Sequence, residues 1–308
     1  MQSIPSRILC AAIRAVFHSS LINNRKMSDS AGKMTKETKS RYKPSQGFSH
    51  SRRACGECTY EKLISKGSSS EKVVLLIHGG SFKVKLLDMY RRLAEKYSKM
   101  LGGATVINVD YRTFPKHEFP TQLDDVVSVY REILGQGTKP ENIVVIGDSA
   151  GANLALTSSL WLRDNGFLLP GHIVCISLWG DATSNGASRI KNAYTDPFYG
   201  ISKRKKIEDN LEYLRGISSY AKKLDRTSPY VSPCFGEFSG FPPVTLICGT
   251  AELDESDNDT VHEKMKSAGV NVALYKFEGM FHDFPLFSFL PESKEAYQKI
   301  IKRINGGM

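Results

Sequence analysis

Apolar positions along this chain cluster in short runs that are separated by longer amphipathic stretches. Several runs read as β-strands because they are short, bounded by turn residues and rich in β-branched side chains. They lie near residues 73–78, 104–109, 142–147, 172–178, 243–248 and 271–277. The stretches between them carry helical patterns, and this alternation predicts a mainly parallel sheet covered by helices on both faces. At 308 residues, of which 41% are hydrophobic, the chain can bury one large core.

A gap in this alternation separates Trp179 from the strand that begins near Val244. The gap spans more than sixty residues and includes the polar and charged stretch 202–224. It is longer than a crossover helix alone requires. We therefore expect an insertion between these two strands.

A candidate nucleophile follows the third strand. Gly147, Ser149 and Gly151 form the pattern Gly-x-Ser-x-Gly, after the apolar run that begins at Ile143 and before the helix-compatible stretch 150–161. A serine at a sharp strand-to-helix turn holds its Oγ in the open, and the flanking glycines avoid collisions with the neighbouring strand and helix. This context makes the pattern more specific than its five residues alone. We predict that Ser149 is a catalytic nucleophile.

A glycine-containing turn follows the first strand, where the run 73–77 leads into His78-Gly79-Gly80-Ser81-Phe82. Backbone N–H groups in such a turn can stabilise the oxyanion that forms in acyl transfer, by several kcal/mol. We expect the donors to be Gly79, Gly80 and Ala150, the last being the residue after the nucleophile.

A general base must lie within hydrogen-bond reach of the serine, because an uncharged hydroxyl is a poor nucleophile at neutral pH. Of the seven histidines, His282 stands on a loop directly after the alternating strand pattern 272–277. His78 belongs to the glycine turn instead. We predict that His282 is the base.

The carboxylate that orients this histidine is predicted to be Asp254. It follows the apolar run 244–248 and a small-residue turn, and it lies between the nucleophile and the histidine in the chain. Glu252, Asp257 and Asp259 are close enough in sequence to be rivals, although acids at the start of a helix also serve as caps.

Together these stretches resemble the hormone-sensitive-lipase branch of the α/β-hydrolase fold, a group that contains small acetyl esterases and carboxylesterases. The resemblance spans residues 73–285 and rests on several short motifs in the same order. They are His78-Gly79-Gly80-Ser81-Phe82, Asp110-Tyr111-Arg112, Phe119-Pro120, Gly147-Asp148-Ser149-Ala150-Gly151, Asp196-Pro197-Phe198, Ser232-Pro233, Pro242-Pro243 and the Asp254 and His282 loops. The resemblance implies an α/β-hydrolase fold with a helical cap, inserted at about residues 182–235, that shapes the acyl pocket.

The chain departs from the family pattern at two places. Ser81 stands where the oxyanion signature has a third glycine, and Asp254-Glu255-Ser256 stands where the family has Asp-Pro-Leu. The first change narrows the freedom of the loop without removing the expected donors. The second bears on the register of the catalytic acid.

Residues 1–60 are predicted to form a basic N-terminal arm that contributes to the cap, ahead of a hydrolase domain over 61–308. They hold eleven Lys or Arg against three acids, so most of the net charge of +10 lies here. Within them, 4–21 carries a helical apolar stripe, and no acid precedes Asp29. Members of the resembled family often begin with such a helix over the active site. We favour this interpretation over a mitochondrial transit peptide at residues 1–26.

The predicted function is the hydrolysis of short-chain acyl esters by a serine carboxylesterase. Because the same triad attacks other carbonyls, a lactonase, an amidase or a formamidase is the alternative, and a non-catalytic binding module on this fold is a third. The expected partner is a small ester substrate, with no cofactor and no metal. Nucleic-acid binding is not expected, since the basic arm lacks interleaved aromatic residues. The oligomeric state is left open, and a homodimer is compatible with the sequence.

No uninterrupted apolar run reaches the ~18 residues needed to span a bilayer, so no transmembrane segment is predicted. Cys175 and Cys248 lie in apolar runs and read as buried thiols, which favours a reducing compartment and a cytoplasmic location. Mitochondria are the alternative if residues 1–26 are a transit peptide. Cys55 and Cys58 have the spacing of half a zinc site, but no second pair follows them at metal spacing.

Overall fold

A single sheet of eight strands forms the centre of the computed structural model, which describes residues 2–18, 40–216 and 218–307. The strands are β1 Phe48–Cys55, β2 Cys58–Ser65, β3 Val73–Ile77, β4 Thr105–Asp110, β5 Ile143–Asp148, β6 His172–Ile176, β7 Val244–Gly249 and β8 Val272–Phe277. They lie in the order β1-β2-β4-β3-β5-β6-β7-β8. β1 and β2 pair antiparallel, as do β2 and β4, whereas the other neighbours pair parallel. The predicted mainly parallel sheet is confirmed, and the six apolar runs coincide with β3 to β8 to within two residues.

Helices cover both faces of this sheet. They are α1 Ile4–Phe17, α2 Asp88–Met100, α3 Thr121–Gly135, α4 Ala150–Asp164, α5 Ser188–Lys191, α6 Leu211–Leu214, α7 Glu255–Ser267 and α8 Pro291–Ile304. Single 3₁₀ turns occupy Pro140–Asn142, Glu208–Asn210, Pro233–Phe235 and Phe284–Leu286. Side chains of α3, α4 and α7 share one apolar core with the sheet, and side chains of α1, α2 and α8 share the other. The central strands are buried on both sides, which is why their sequences are continuous apolar runs.

The sheet begins earlier than the sequence predicted. The boundary expected at residue 60 falls inside β2, so residues 48–60 belong to the sheet and not to a separate arm. β1 lies at the edge and most of its side chains are exposed or half-exposed, so it carries no apolar alternation that would reveal a strand. Cys55 and Cys58 face each other across the turn between β1 and β2, and burial raises their pKa values to about 12 and about 11. Thiols in this state are poor metal ligands and poor nucleophiles.

The N-terminal helix α1 packs against the same side of the molecule as α8. Ile13 is buried there, and the Phe17 ring lies 5.1 Å from the ring of Phe198 in an edge-on contact. Glu292, in the first turn of α8, accepts hydrogen bonds from the Ser3 N–H at 2.6 Å and the Ser6 hydroxyl at 2.6 Å. Residues 2–18 of the predicted arm are therefore docked on the folded chain, and residues 19–39 of it lie outside the described residues.

The long connection between β6 and β7 crosses the carboxyl ends of the parallel strands. Ala193, Ile201 and Leu214 form a small apolar cluster of their own with Leu253. Asn153 holds the connection against α4 by donating from Nδ2 to the carbonyls of Trp179 at 3.0 Å and of Val231 at 2.9 Å. The connection therefore has a small apolar cluster of its own and is bonded to α4.

Over the part of the chain that the structure describes, we find no helix with the length and apolar character needed to cross a bilayer.

Candidate active site

Ser149 occupies the sharp turn between β5 and α4. Its backbone adopts φ +52° and ψ −119°, a strained conformation for a residue with a side chain. A Cβ at Gly147 would lie 2.2 Å from the Gly151 carbonyl oxygen, and one at Gly151 would lie 2.1 Å from that of Ile77. Both glycines are therefore required by close backbone packing, as the sequence pattern predicted.

The structure brings Ser149 and His282 together across 133 residues of sequence. Nε2 of His282 lies 2.9 Å from Oγ of Ser149, and both side chains are nearly buried. His282 sits on the loop after β8, and its ring meets the Tyr199 ring edge-on at 5.2 Å. This distance is suitable for transfer of the serine proton to the imidazole.

Two carboxylates approach Nδ1, the other nitrogen of the His282 ring. Oε2 of Glu252 lies 3.3 Å away and Oδ2 of Asp254 lies 3.8 Å away. The second oxygen of Asp254 is paired with the guanidinium of Arg189 on α5. The structure thus places the predicted acid near the base, but it places the rival Glu252 closer.

The other two rivals point elsewhere. Asp257 is buried and accepts the N–H groups of Gly180 and Asp181, each at 3.0 Å. Asp259 is paired with Lys276 at 2.7 Å on the surface. Neither has a contact with the His282 ring among those that the structure describes.

A third carboxylate lies on the Nε2 side of the ring. Oδ2 of Asp283 is 3.4 Å from Nε2 of His282, and the Asp283 N–H donates to the Ser177 hydroxyl at 2.8 Å. Burial alone would lower the pKa of His282, but the charges of Asp283, Glu252 and Asp254 outweigh burial and hold this pKa well above its usual value. Asp283 was not among the predicted site residues, and its position directly after His282 in the chain is the one sequence feature that points to it.

The turn after β3 does not present the predicted set of N–H donors. The Gly79 N–H donates to the Tyr90 hydroxyl at 3.0 Å and to Asp148 Oδ2 at 3.2 Å, and the same hydroxyl donates to that carboxylate at 2.8 Å. The N–H of Gly79 is therefore already bonded within the protein, and it is not available to an oxyanion in this structure. Gly80 and Ser81 in this turn adopt positive φ angles of +108° and +54°. Ser81 and the next residue, Phe82, form part of the wall of the site.

A cavity of about 200 Å³ opens at Ser149 and His282. One wall is aromatic, and it includes Phe82 and Trp179, whose ring centroids are 5.7 Å apart. The insertion between β6 and β7 supplies most of the remaining wall, with Ser184, Arg189, Tyr199, Tyr213, Gly216 and Ser218. The cavity can hold a small molecule against Ser149 and His282, and the contact between these two side chains is compatible with acyl transfer.

Among the described residues, no group of three or more His, Cys, Asp and Glu side chains is arranged so that it could hold a metal ion.

The chain is similar to known esterases over most of its length. A family model described as the α/β hydrolase fold matches residues 74–286. An acetyl-hydrolase of Streptomyces hygroscopicus is 31% identical, covering 79% of this chain and 78% of its own, and an esterase of Acinetobacter venetianus is 32% identical, covering 77% and 76%. The crystal structure of an esterase from the bacterial hormone-sensitive lipase family superposes with a TM-score of 0.81 at 25% identity, covering 99% of this chain and 98% of the other.

The chain belongs to the α/β-hydrolase fold family, on both sequence and fold. Within that family it is a carboxylic ester hydrolase of the hormone-sensitive-lipase-like branch, as the motifs between residues 73 and 285 implied.

Proposed function

We propose that this chain is a serine carboxylesterase that cleaves short-chain acyl esters through an acyl-enzyme intermediate. The observation that carries the proposal is the 2.9 Å contact between Ser149 Oγ and His282 Nε2 at the wall of a small cavity. The strained turn at Ser149 supports it, because such strain persists where a function requires it.

Each step follows from the position of the His282 ring. Ser149 Oγ attacks the ester carbonyl carbon while Nε2 accepts the hydroxyl proton. The tetrahedral intermediate then loses the alcohol, whose oxygen takes the proton from Nε2. Water attacks the acyl-enzyme by the same route, and cleavage of the bond to Oγ releases the acid and restores the serine.

We propose the N–H groups of Gly80, Ser81 and Ala150 as donors to the oxyanion. Ala150 begins α4, so its N–H has no partner within the helix, and Ala150 and Ser81 both line the cavity. Gly79 braces the turn instead, through Tyr90 and Asp148. Ser81 stands at the position of the third glycine of the family pattern. We therefore propose Ser81 as an oxyanion donor in place of Gly79.

The size of the cavity favours a short acyl chain. At about 200 Å³ it is smaller than the 300–1,000 Å³ typical of sites for larger ligands. The rings of Phe82 and Tyr220 stack with their centroids 3.9 Å apart. Phe82 therefore cannot move outward to enlarge the cavity unless this contact is broken. The name of the Streptomyces relative, an acetyl-hydrolase, agrees with this limit.

A panel of p-nitrophenyl esters from acetate to dodecanoate, with one lactone and one anilide, tests the proposal. We expect kcat/KM to be highest for acetate to butyrate and to fall steeply for longer chains. Faster turnover of the lactone or the anilide than of any ester would favour the alternative hydrolases. No turnover of any compound would favour a binding module.

The pH dependence of kcat/KM is expected to reflect the raised pKa of His282. The base must be neutral to accept the serine proton, so activity should rise with pH and reach half its plateau above the ordinary histidine value of ~6.5. Burial raises the pKa of Asp283 itself, and in its ionised form this carboxylate lies 3.4 Å from Nε2, so Asp283→Asn should move the rise to lower pH. Asp259→Asn, the same change on the surface, should leave it in place. A variant at Asp283 with the wild-type profile would contradict this account.

We further propose that the insertion at about 182–235, together with α1, forms the cap. The insertion supplies Arg189 and Tyr213 to the cavity wall, and α1 contacts it through Arg14, whose Nη2 donates to the Thr195 carbonyl at 2.7 Å. A cytoplasmic location is also proposed, since all six cysteines are free thiols. The homodimer stays a prediction, to be measured by light scattering of the purified enzyme.

A further inference from the structure

Glu252 is a fully buried carboxylate in the turn after β7. Its Oε1 accepts hydrogen bonds from the Ser177 hydroxyl at 2.9 Å and from the Gly249 N–H at 2.5 Å. Its Oε2 faces Nδ1 of His282 at 3.3 Å as a charge pair, and neither of these two atoms has a hydrogen-bond partner among the described residues. Burial of a carboxylate oxygen without a hydrogen-bond partner costs free energy unless the oxygen is paired with an opposite charge, which here is the His282 ring when it is protonated.

Ser177 joins this carboxylate to the histidine loop. Its hydroxyl donates to Glu252 and accepts the Asp283 N–H, so Glu252 and the residue next to His282 share one anchor. The position of Glu252 relative to the ring is thereby fixed by bonds on both sides. A carboxylate fixed in this way can select the tautomer of the imidazole.

Asp254 is placed differently. It lies 3.8 Å from Nδ1, and its other oxygen is paired with Arg189, which belongs to the insertion. Arg189 also lines the cavity. Asp254 therefore divides its charge between the histidine and the insertion, whereas His282 is the one ionisable group with which Glu252 pairs among the described residues.

We propose that Glu252 is a positioning residue for His282 and shares with Asp254 the carboxylate function of the triad. A neutral imidazole accepts the serine proton at Nε2 only when Nδ1 carries the other proton, and a carboxylate at Nδ1 holds that proton there. Glu252 also stabilises the imidazolium that forms during attack. The inference rests on the esterase mechanism proposed above.

Several other titratable groups face the ring and bear on its protonation. Asp283 lies at Nε2, and Tyr199 meets the ring edge-on. Asp148 on β5 and Asp196 in the insertion act on it through their charges. A test must therefore change the Nδ1 side of the ring and leave these groups in place.

Glu252→Gln meets that requirement. The amide oxygen can still accept from Ser177 and Gly249, and only the oxygen that faces Nδ1 becomes an NH₂ group. We expect kcat on p-nitrophenyl acetate to fall by about 10- to 100-fold, which is less than the ~10⁴-fold loss of a lone triad carboxylate because Asp254 remains. We expect KM to stay within about twofold and the rise of kcat/KM with pH to move to lower pH.

Asp257→Asn is the matched control, because it changes a buried carboxylate on α7 that contacts Gly180 and Asp181 instead of the ring. It should leave the pH profile in place. A Glu252→Gln enzyme with wild-type kcat would overturn the proposal. So would a loss of kcat without a shift of the pH profile, because a purely structural role predicts that result.

Asp254→Asn keeps the proposal testable even if Glu252→Gln does not fold. With Glu252 still in place, this variant should lose less than about 10³-fold in kcat and keep a measurable pH-dependent rise. A loss near 10⁴-fold would assign the acid to Asp254 alone. Labelling of Ser149 by a fluorophosphonate tests the esterase mechanism separately, so failure of the two proposals can be distinguished.

Discussion

Replacement of Ser149 by Ala is expected to abolish ester hydrolysis, with a loss in kcat on the order of 10⁶-fold. The Oγ that would attack the carbonyl carbon is removed, and no other described hydroxyl has a contact with Nε2 of His282. The residual rate should come from the oxyanion donors and the cavity alone. Initial rates on p-nitrophenyl acetate and labelling by a fluorophosphonate measure the effect.

The same change should not harm the fold. Alanine at 149 keeps the strained backbone and loses only a hydroxyl, so the melting temperature should be equal to that of the wild type or slightly higher. Ser159→Ala is a matched control on α4, since this buried serine donates within its own helix, to the Ala155 carbonyl at 2.7 Å. It should keep full activity. Retention of most activity by Ser149→Ala would mean that the nucleophile is another group.

The central part of the fold was predictable because of where its strands lie. β5, β6 and β7 are buried along their whole length, and burial on both faces demands the apolar runs by which they were found. The serine turn was predictable for a related reason. Close packing at Gly147 and Gly151 permits only glycine, so the sequence must show them.

The edge of the sheet was not predictable from the same signal. β1 carries Arg52 and Arg53 on an exposed edge, and its pairing with β2 depends on backbone hydrogen bonds that any residue can make. A charged edge strand and a charged tail look alike in sequence. The turn at Gly56, with φ +55°, was the one local sign of a hairpin.

The details of the site depend on side-chain directions that spacing does not determine. Residues 252 and 254 are two positions apart in sequence and both are acids, so sequence spacing does not distinguish them, and the ion pair of Asp254 with Arg189, 65 residues away, could not be foreseen. The hydrogen bonds of the Gly79 N–H to Tyr90 and Asp148 also join residues that are distant in sequence, so they could not be foreseen either. Motifs identified which segments meet, and the structure shows which atoms meet.

The sequence allowed two interpretations of the N-terminal helix, a cap helix and a transit peptide, and they predict different results when the helix is removed. In the structure α1 buries Ile13, half-buries Leu9 and Phe17, and bonds to Glu292 through Ser3 and Ser6. A fully buried side chain of this kind contributes roughly 1.5 to 3 kcal/mol. A variant that begins at Met27 should therefore lose about 3 kcal/mol or more of the free energy of unfolding, which a thermal or urea melt will detect.

The deletion should also change catalysis, because the N-terminal segment contacts two segments next to the site. Gln2 donates to the Gly279 carbonyl at 3.0 Å in the loop that leads to His282, and Phe17 packs on Phe198, the neighbour of Tyr199 in the cavity wall. We expect a lower kcat/KM on acetate and a weaker preference for short acyl chains.

Single substitutions on α1 provide a matched pair for the same question. Ile13→Ala removes a side chain that is 8% exposed and should cost about 2 kcal/mol or more, whereas Ile8→Ala removes one that is 65% exposed and should cost less than about 0.5 kcal/mol. Unchanged stability and selectivity in the Met27 variant, together with a shortened protein in mitochondria, would establish the transit peptide instead. A stability loss that follows burial along α1 requires the helix to be part of the folded enzyme, because a segment removed before the enzyme works cannot stabilise it.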